Sequence, residues 1–574
     1  MPASGPGRQA QAVSTGPGRV GGRLLPSGAM SPDDRYYITT AIAYANNRPG
    51  LHTLYEVVGA DVLARWHRMK GDRTRFLTGI DEHSVNIAQR AAELGQTPKA
   101  FVDENVALFK TAEDALLISP DRFIRTTDPD HIAAAQEMVR RAYANGDIYV
   151  GTYEGWYCPA EGFKAPSDVL ETAQGTRCPN HPTVELQWLS EHNWFLRLSA
   201  YQERLEKYFA ENPDFVQPDF RRNEMLGFIH GGLEDFSISR SGALWGIPFP
   251  IMPDGSSAQL PDGTWNADAG TIYVWYDALI NYVTGAGFPD DPEAFAQWWP
   301  ADLHVIGKDI ARFHSIYWPA MLWSAGLEAP RRVWVHGWLL AQGERMSKSL
   351  GNFLDPVDVV RSLGSDGARY VTLREVPFDR DADVSWDSFI RRYNADLANN
   401  FGNLLNRTVS MVNRYLGGER PAPSEGNLQV AAMLALPAYR AKLEACELSE
   451  ALAALWSLVD AANREVDLEQ PWVLAKEAKA GVEGKSERLR DVLGDLVEAC
   501  RLIGLAVAPF MPTAAPRILA QLGYDYPYGA DGNGGPAVLP LLQWEAGFFA
   551  GGRVGAAEPL FPRLETEAAT PAAG

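Results

Sequence analysis

The segment Gln342-Gly-Glu-Arg-Met-Ser-Lys-Ser-Leu-Gly-Asn352 sets one lysine, Lys348, between two hydroxyls, Ser347 and Ser349, and brackets them with Gly343 and Gly351. A backbone of that composition can swing, and an ammonium group among hydroxyl and N–H donors suits phosphate oxygens. A second set of the same kind is Gly307-Lys308-Asp309. There the glycine admits a ligand close to the backbone, the lysine can reach a phosphate, and the aspartate can orient a ribose or cap the following helix. Asp81, in Ile80-Asp-Glu-His83, ends an apolar run, where a lone aspartate can cap the next helix. Cys158-Pro-Ala-Glu161 and Cys178-Pro-Asn-His181 lie about twenty residues apart. The second has metal-knuckle spacing, and the first has it if Glu161 serves as a ligand. A knuckle folded on Trp156, Tyr157 and Phe163 without metal accounts for the pattern equally well.

These residues need a scaffold, and the flanking patterns supply one. Tyr36–Tyr44 is β-rich, and Asn46-Asn-Arg-Pro-Gly50 closes it. Thr53–Lys70 carries Val57, Val58, Val62, Leu63 and Trp66 at helical spacing, and Arg75–Ile80 is the next strand. That β-α-β unit predicts a parallel sheet with its binding crevice at the strand carboxyl ends. Asp302–Gly307 and Arg332–Leu340 read as further strands, and Trp245–Pro250 with Thr271–Tyr282 as the chain's return to the sheet. A helix from Ile310 to Leu322 puts Ile310 and His314 on one face. From Tyr393 to the low 500s the pattern predicts long amphipathic helices in an antiparallel bundle, with Asn403 and Arg407 four apart on one of them.

The bulk properties narrow the class. A chain of 574 residues accommodates three or four domains. No uninterrupted apolar window of about eighteen residues occurs, which argues against a membrane span. Four scattered cysteines, Cys158, Cys178, Cys446 and Cys500, make no disulfide framework and fit a reducing cytoplasm. A net charge of −20 argues against non-specific nucleic-acid binding, while leaving room for a local basic face. The first thirty residues, rich in Gly, Pro, Ser and Arg, read as a disordered extension or an early start codon, with Met30 the better start.

Taken in order, these motifs resemble those of the class I aminoacyl-tRNA synthetases, and most closely the bacterial-type methionyl-tRNA synthetases. Arg345-Met-Ser-Lys-Ser349 is similar to that class's Lys-Met-Ser-Lys-Ser signature, with Arg for the first Lys. The His-x-Gly-His signature aligns with Gly50-Leu-His-Thr53, so one imidazole survives at a shifted position. The resemblance covers about residues 34 to 545. It implies an α/β fold: a split Rossmann-type nucleotide-binding domain with an inserted connective, zinc-knuckle domain, followed by an all-α anticodon-binding bundle. The expected divisions are a disordered extension (1–33), two catalytic halves (34–119 and 225–340) and a connective insertion (120–224). A mobile-lysine and stem-contact region (341–392), a helical anticodon-binding domain (393–548) and a tail (549–574) complete them.

The function the resemblance implies is methionine–tRNA ligation, with methionine, ATP with Mg²⁺ and tRNA(Met) as substrates. A catalytically impaired tRNA-binding relative is the alternative that the altered signature raises. Another small class I synthetase, such as the cysteine enzyme, is disfavoured because no Cys/His set lies near Asp81 or Trp275. By the same resemblance, Lys348, His52 and Lys308 are the catalytic residues. His52, Thr53, Gly307, Lys308, Asp309, Ser347 and Lys348 bind ATP. Ile42, Tyr44, Asp81, Arg240, Trp275, Ala278, Leu279, Tyr282, Ile310, His314 and Trp318 form the methionine site. Asn403, Arg407 and Trp472 read the anticodon, and Cys158, Glu161, Cys178 and His181 are the ligand set if a structural Zn²⁺ is bound. A cytoplasmic monomer that does not enter the membrane is expected.

Overall fold

The computed structural model describes residues 35–158, 162–164, 169–172, 175–179, 181–242, 245–346, 352–527, 538–545 and 552–565. Its organising element is a parallel sheet. In the strand Arg35–Thr40, Tyr36 and Ile38 pack into one core and Tyr37 into another, as alternating side chains must. Among the described residues the sheet has seven strands, and every pairing is parallel. Their order runs Val216–Gln217, Val333–His336, Leu303–Gly307, Arg35–Thr40, Arg73–Asp81, with Arg122–Arg125 and the short Ala43–Tyr44 also paired to Arg73–Asp81. The chain builds outward from Arg35–Thr40 on one side, then returns to build on the other. The order therefore reverses between Arg35–Thr40 and Leu303–Gly307, and such a switch point leaves a crevice at the carboxyl ends.

A slip in register shapes that crevice. Thr39 pairs with Leu77, but Ala43 pairs with Ile80, so the first strand carries one residue more than its partner. The extra residue makes a bulge at Ala41–Ile42, which re-aims the side chains that follow.

The helix Leu51–Lys70 ends at Gly71, whose φ of 96° is a left-handed cap. It is buried on nearly all sides, because the sheet covers one face and the helical region the other. On that second face Trp66 Nε1 donates to Glu444 Oε1 at 2.8 Å, and its ring meets Tyr439 edge-on.

Between the two groups of sheet strands the chain forms the helix Pro129–Ala144 and a long antiparallel ribbon, Ile148–Cys158 with Gln187–Leu196. Thr271–Tyr282 differs from the expectation of a return to the sheet. Only Thr271–Ile272 is a strand, paired antiparallel with Ser239–Arg240; Val274–Leu279 and Asn281–Ala286 are short helices. The 3–4 residue spacing of Trp275, Ala278, Leu279 and Tyr282 is the helical period that decides it.

After the sheet come helices. Pro356–Arg374 is broken at Gly364 (φ 71°, ψ 161°), and the run continues through Asn403–Leu416, Asn427–Glu444, Leu448–Glu469, Pro471–Lys479 and Lys485–Ala506. The architecture is thus an α/β fold on a parallel sheet with a helical C-terminal region. No helix among the described residues is long and apolar enough to cross a membrane.

Candidate active site

A cavity of about 490 Å³ opens at the carboxyl ends of the central strands, at the switch point. That volume is ordinary for a small-molecule site. The bulge contributes Ala41, Ile42 and Tyr44; the start of helix Leu51–Lys70 contributes His52 and Thr53; and Arg73–Asp81 contributes Asp81 at its end. The helix Val274–Leu279 brings Trp275, Ala278 and Leu279, joined by Tyr282 from the next helix. Gly307 and Asp309 come from the turn after Leu303–Gly307, and Ile310 and His314 follow on the expected helical face.

One end of the cavity is aromatic. Trp275 stacks on Phe313 with ring centroids 4.2 Å apart and planes 7° from parallel, and Tyr44 meets Trp275 edge-on at 6.0 Å. His314 Nδ1 donates to Ile310 O at 3.0 Å, so its Nε2 accepts from Tyr282 Oη at 2.7 Å. Burial lowers the His314 pKa to about 4, which keeps that ring neutral. Trp318 lies behind Tyr282, fully buried, donating through Nε1 to His304 Nε2 at 3.2 Å.

Asp81 is 3% exposed and, among the described residues, faces no cation. Burial, with the charge of Asp277 added, pushes its carboxyl well above the usual range. Asp277 itself sits between two imidazoles, with His83 Nδ1 at 2.8 Å and His131 Nε2 at 2.7 Å. A buried carboxylate is costly without a counter-charge, and an ammonium group would supply one.

The other predicted residues are placed differently. Lys308 does not line the cavity; its Nζ pairs with Asp381 and lies 3.9 Å over the ring of Trp338, which does. Arg345 lies 3.5 Å over that same ring. Arg240 stacks 3.6 Å over Tyr273 and donates to Ser237 Oγ at 2.8 Å, outside the lining. Ser347 and Lys348 lie outside the described residues, as does Glu161. Of His181 the backbone is described, paired antiparallel with Cys178, but not the side chain. Cys158 and Cys178 are buried in one small apolar cluster with Leu186. Among the described residues no group of three or more metal-ligating side chains assembles. In the helical region Asn403 is exposed, and Arg407 Cζ lies 5.9 Å from the ring of Trp472, itself 43% exposed.

Among the residues lining the cavity, sequence reasoning passed over Glu56, His336 and Glu113. Glu56 accepts from Ala41 N at 2.6 Å, and its other carboxyl oxygen shares a hydrogen bond with His336 Nε2 at 2.9 Å; Glu113 also lines the space. The one available signal was that Glu56 stands four residues after His52 and so shares its helix face.

Residues 36–409 match the family model described as "tRNA synthetases class I (M)". A methionine–tRNA ligase of Mycobacterium leprae is 45% identical over 498 residues, covering 85% of this chain and 89% of that protein. That of Thermotoga maritima is 39% identical over 539 residues, covering 93% and 81%. The solved structure of Mycobacterium tuberculosis methionyl-tRNA synthetase in complex with methionyl-adenylate superposes with a TM-score of 0.83. It is 41% identical to this chain, with 92% of this chain and all of that one covered.

Proposed function

Because the chain belongs to the class I methionyl-tRNA synthetase family, we propose that the cavity at the switch point is where its own residues hold methionine against ATP. The enzyme is a methionine–tRNA ligase. The observation that carries the assignment of the site is the convergence, in one cavity, of a buried Asp81 without a counter-charge and of Trp275, backed by Phe313, with Gly307 and His52.

Asp81 takes the methionine ammonium group. Ile42, Tyr44, Trp275, Ala278, Leu279, Tyr282, Ile310 and His314 enclose the thioether, selecting by shape and by soft sulfur–aromatic contact. Trp318 and Arg240 support that wall from behind. ATP enters as its Mg²⁺ complex along Gly307–Asp309, with His52 and Thr53 at the phosphates and Asp309 at the ribose. The methionine carboxylate then attacks the α-phosphorus in line, a P–O bond forms, and pyrophosphate leaves. This step needs no protein nucleophile; positioning and stabilisation of charge on the phosphorus oxygens carry it. Lys348 swings in to supply most of that charge, and Lys308, released from Asp381, supplies more. In the second step the 2′-hydroxyl of the terminal tRNA adenosine attacks the acyl carbon, and AMP leaves.

Residues 34–119 with 225–340 form the catalytic halves, 120–224 the connective insertion, 341–392 the lysine loop and stem-contact region, and 393–548 the anticodon-binding domain. Cys158 and Cys178, two thiols packed against the same leucine, fit half of a structural zinc set completed by Glu161 and His181. Such an ion when bound would cross-link the hairpins. In the helical region Trp472 stacks on a splayed anticodon base while Asn403 and Arg407 bond to base edges. The enzyme acts as a cytoplasmic monomer.

Methionine-dependent exchange of pyrophosphate into ATP tests this reading. Wild type should exchange, and Lys348→Ala should lose about 10²–10³-fold in rate. If purified wild-type protein exchanged with no amino acid at all, the reading would give way to that of an impaired tRNA-binding relative.

A further inference from the structure

Gly50 caps the helix Leu51–Lys70 with φ −97° and ψ 169°, extended backbone that any residue adopts. The chain's own dihedrals therefore do not call for glycine there. A neighbouring ring does. A Cβ built on Gly50 would lie 2.5 Å from His52 Cε1, 2.6 Å from His52 Nδ1 and 2.7 Å from Phe353 Cε2. The His52 imidazole thus fills the volume where a side chain of residue 50 would begin, and Phe353 meets it edge-on, with centroids 6.2 Å apart at 80°. Within that seat His52 Nδ1 is buried with no hydrogen-bond partner among the described residues. Nε2 is then the nitrogen left to serve a ligand in the cavity that His52 lines. Burial, with the Arg345 guanidinium adding to it, lowers the ring's pKa, so the imidazole offers a neutral N–H while Arg345 carries the charge.

We propose that Gly50 and His52 act as one unit, in which the bare Cα of Gly50 seats the His52 ring so that Nε2–H donates to a phosphate oxygen of ATP. Gly50 is the positioning residue and His52 the one that touches substrate. The altered tetrapeptide is then a rearranged phosphate-binding signature: the imidazole absent at position 50 is returned to that corner from position 52. This rests on the reading of the cavity as the ATP site.

The test is a double-mutant cycle in pyrophosphate exchange at saturating methionine, measuring kcat and KM for ATP. His52→Ala should lower kcat/KM for ATP by about 10²-fold. Gly50→Ala should lower it by at least about ten-fold in the wild-type background and leave it unchanged in the His52→Ala background, because coupled residues are not additive. His52→Gln, which keeps an N–H donor, should recover part of the loss, and methionine affinity should stay within about two-fold throughout. Should Gly50→Ala not fold, Phe353→Leu, which frees the ring from its other neighbour, reads the same coupling in its place. Equal losses from Gly50→Ala with and without His52, or no loss at all, would overturn the coupling while wild-type exchange still upholds the site. An absence of exchange by the wild type would overturn both.

Discussion

Asp61 and Arg369 meet at 2.7 Å with neither side chain exposed. The pair fastens the helix under the sheet to the first helix beyond it. Arg369 also donates to the carbonyls of Leu116, Pro509 and Phe510, and Asp61 accepts from Ser119 and Arg65, so four stretches of chain converge on one ion pair. Asp61→Ala leaves a buried guanidinium without its counter-charge and should destabilise by about 3–5 kcal/mol in urea unfolding. Replacing both partners with apolar residues should recover much of that. Burial alone would raise the Asp61 pKa, but Arg65, Arg369 and Ser119 hold it down to about 2. A carboxyl lowered in the native state stabilises above its unfolded value of 3.8 and loses that contribution as pH falls toward about 2. Wild type, and not the double apolar variant, should therefore lose stability steeply across that window.

Glu113 presents the opposite case. It lines the cavity and, among the described residues, makes no side-chain hydrogen bond, and burial with the charge of Asp114 pushes it up to about 8. A carboxyl raised in the native state gives its full contribution below the unfolded value of 4.5 and loses it as pH climbs through about 8. Glu113→Gln should flatten the decline in stability from weakly acidic to weakly alkaline pH and leave the variant about 1–3 kcal/mol more stable at the alkaline end. On the proposed function, a neutral Glu113 also spares the cavity a negative charge near the polyphosphate. The KM for ATP should then rise with pH in wild type more than in the variant; parallel profiles would show that the carboxyl is ionised already.

For Asp81 the expected outcome is a split between the two substrates. Asp81→Asn should weaken methionine binding by about 10²–10³-fold, the loss seen when one member of a desolvated charge pair is removed. ATP affinity should hold within about two-fold, since the nucleotide contacts proposed above come from other elements. Because burial and the charge of Asp277 raise its carboxyl, a proton and the proposed ammonium group compete for Asp81. Methionine affinity of the wild type should therefore fall as pH falls, and that of the Asn variant should not. Calorimetric titration across pH, with a desamino analogue as control, reads both.

How much of this was legible in the sequence depended on distance along the chain. The parallel core could be read because Tyr36–Thr40 and Arg75–Ile80 are apolar, β-branched runs on either side of one helical period. The proposed methionine wall needed the family resemblance, since Trp275 and Tyr282 at helical spacing look like any core helix; the structure turns that spacing into two short helices. The contacts that complete the site were not legible, because each joins residues far apart. Trp275 finds Phe313, Glu56 finds His336, and Asp277 finds both His83 and His131 only after the sheet has closed. The clash that makes Gly50 the companion of His52 is local, yet it depends on a ring orientation that one-letter spacing does not carry.

Trp472 offers the means to separate amino-acid activation from tRNA recognition. The residue is 43% exposed beyond the αL turn at Gln470, with Arg407 alongside. Exposing so much indole is unfavourable unless a flat partner covers it, and a nucleobase is such a partner. Arg407 is drawn toward Asp467 at 3.8 Å, a weak contact that leaves the guanidinium available to a base edge. Loss of one stacked base is worth about 1–3 kcal/mol. Trp472→Ala should thus lower kcat/KM for tRNA in aminoacylation by about 10–100-fold, while pyrophosphate exchange proceeds at the wild-type rate. The deficit should shrink for a tRNA whose anticodon has been altered, because the base that the indole would stack on is then already wrong. An equal deficit for both tRNAs would assign Trp472 to the stability of the bundle instead, and a thermal unfolding curve of the variant would show the matching loss.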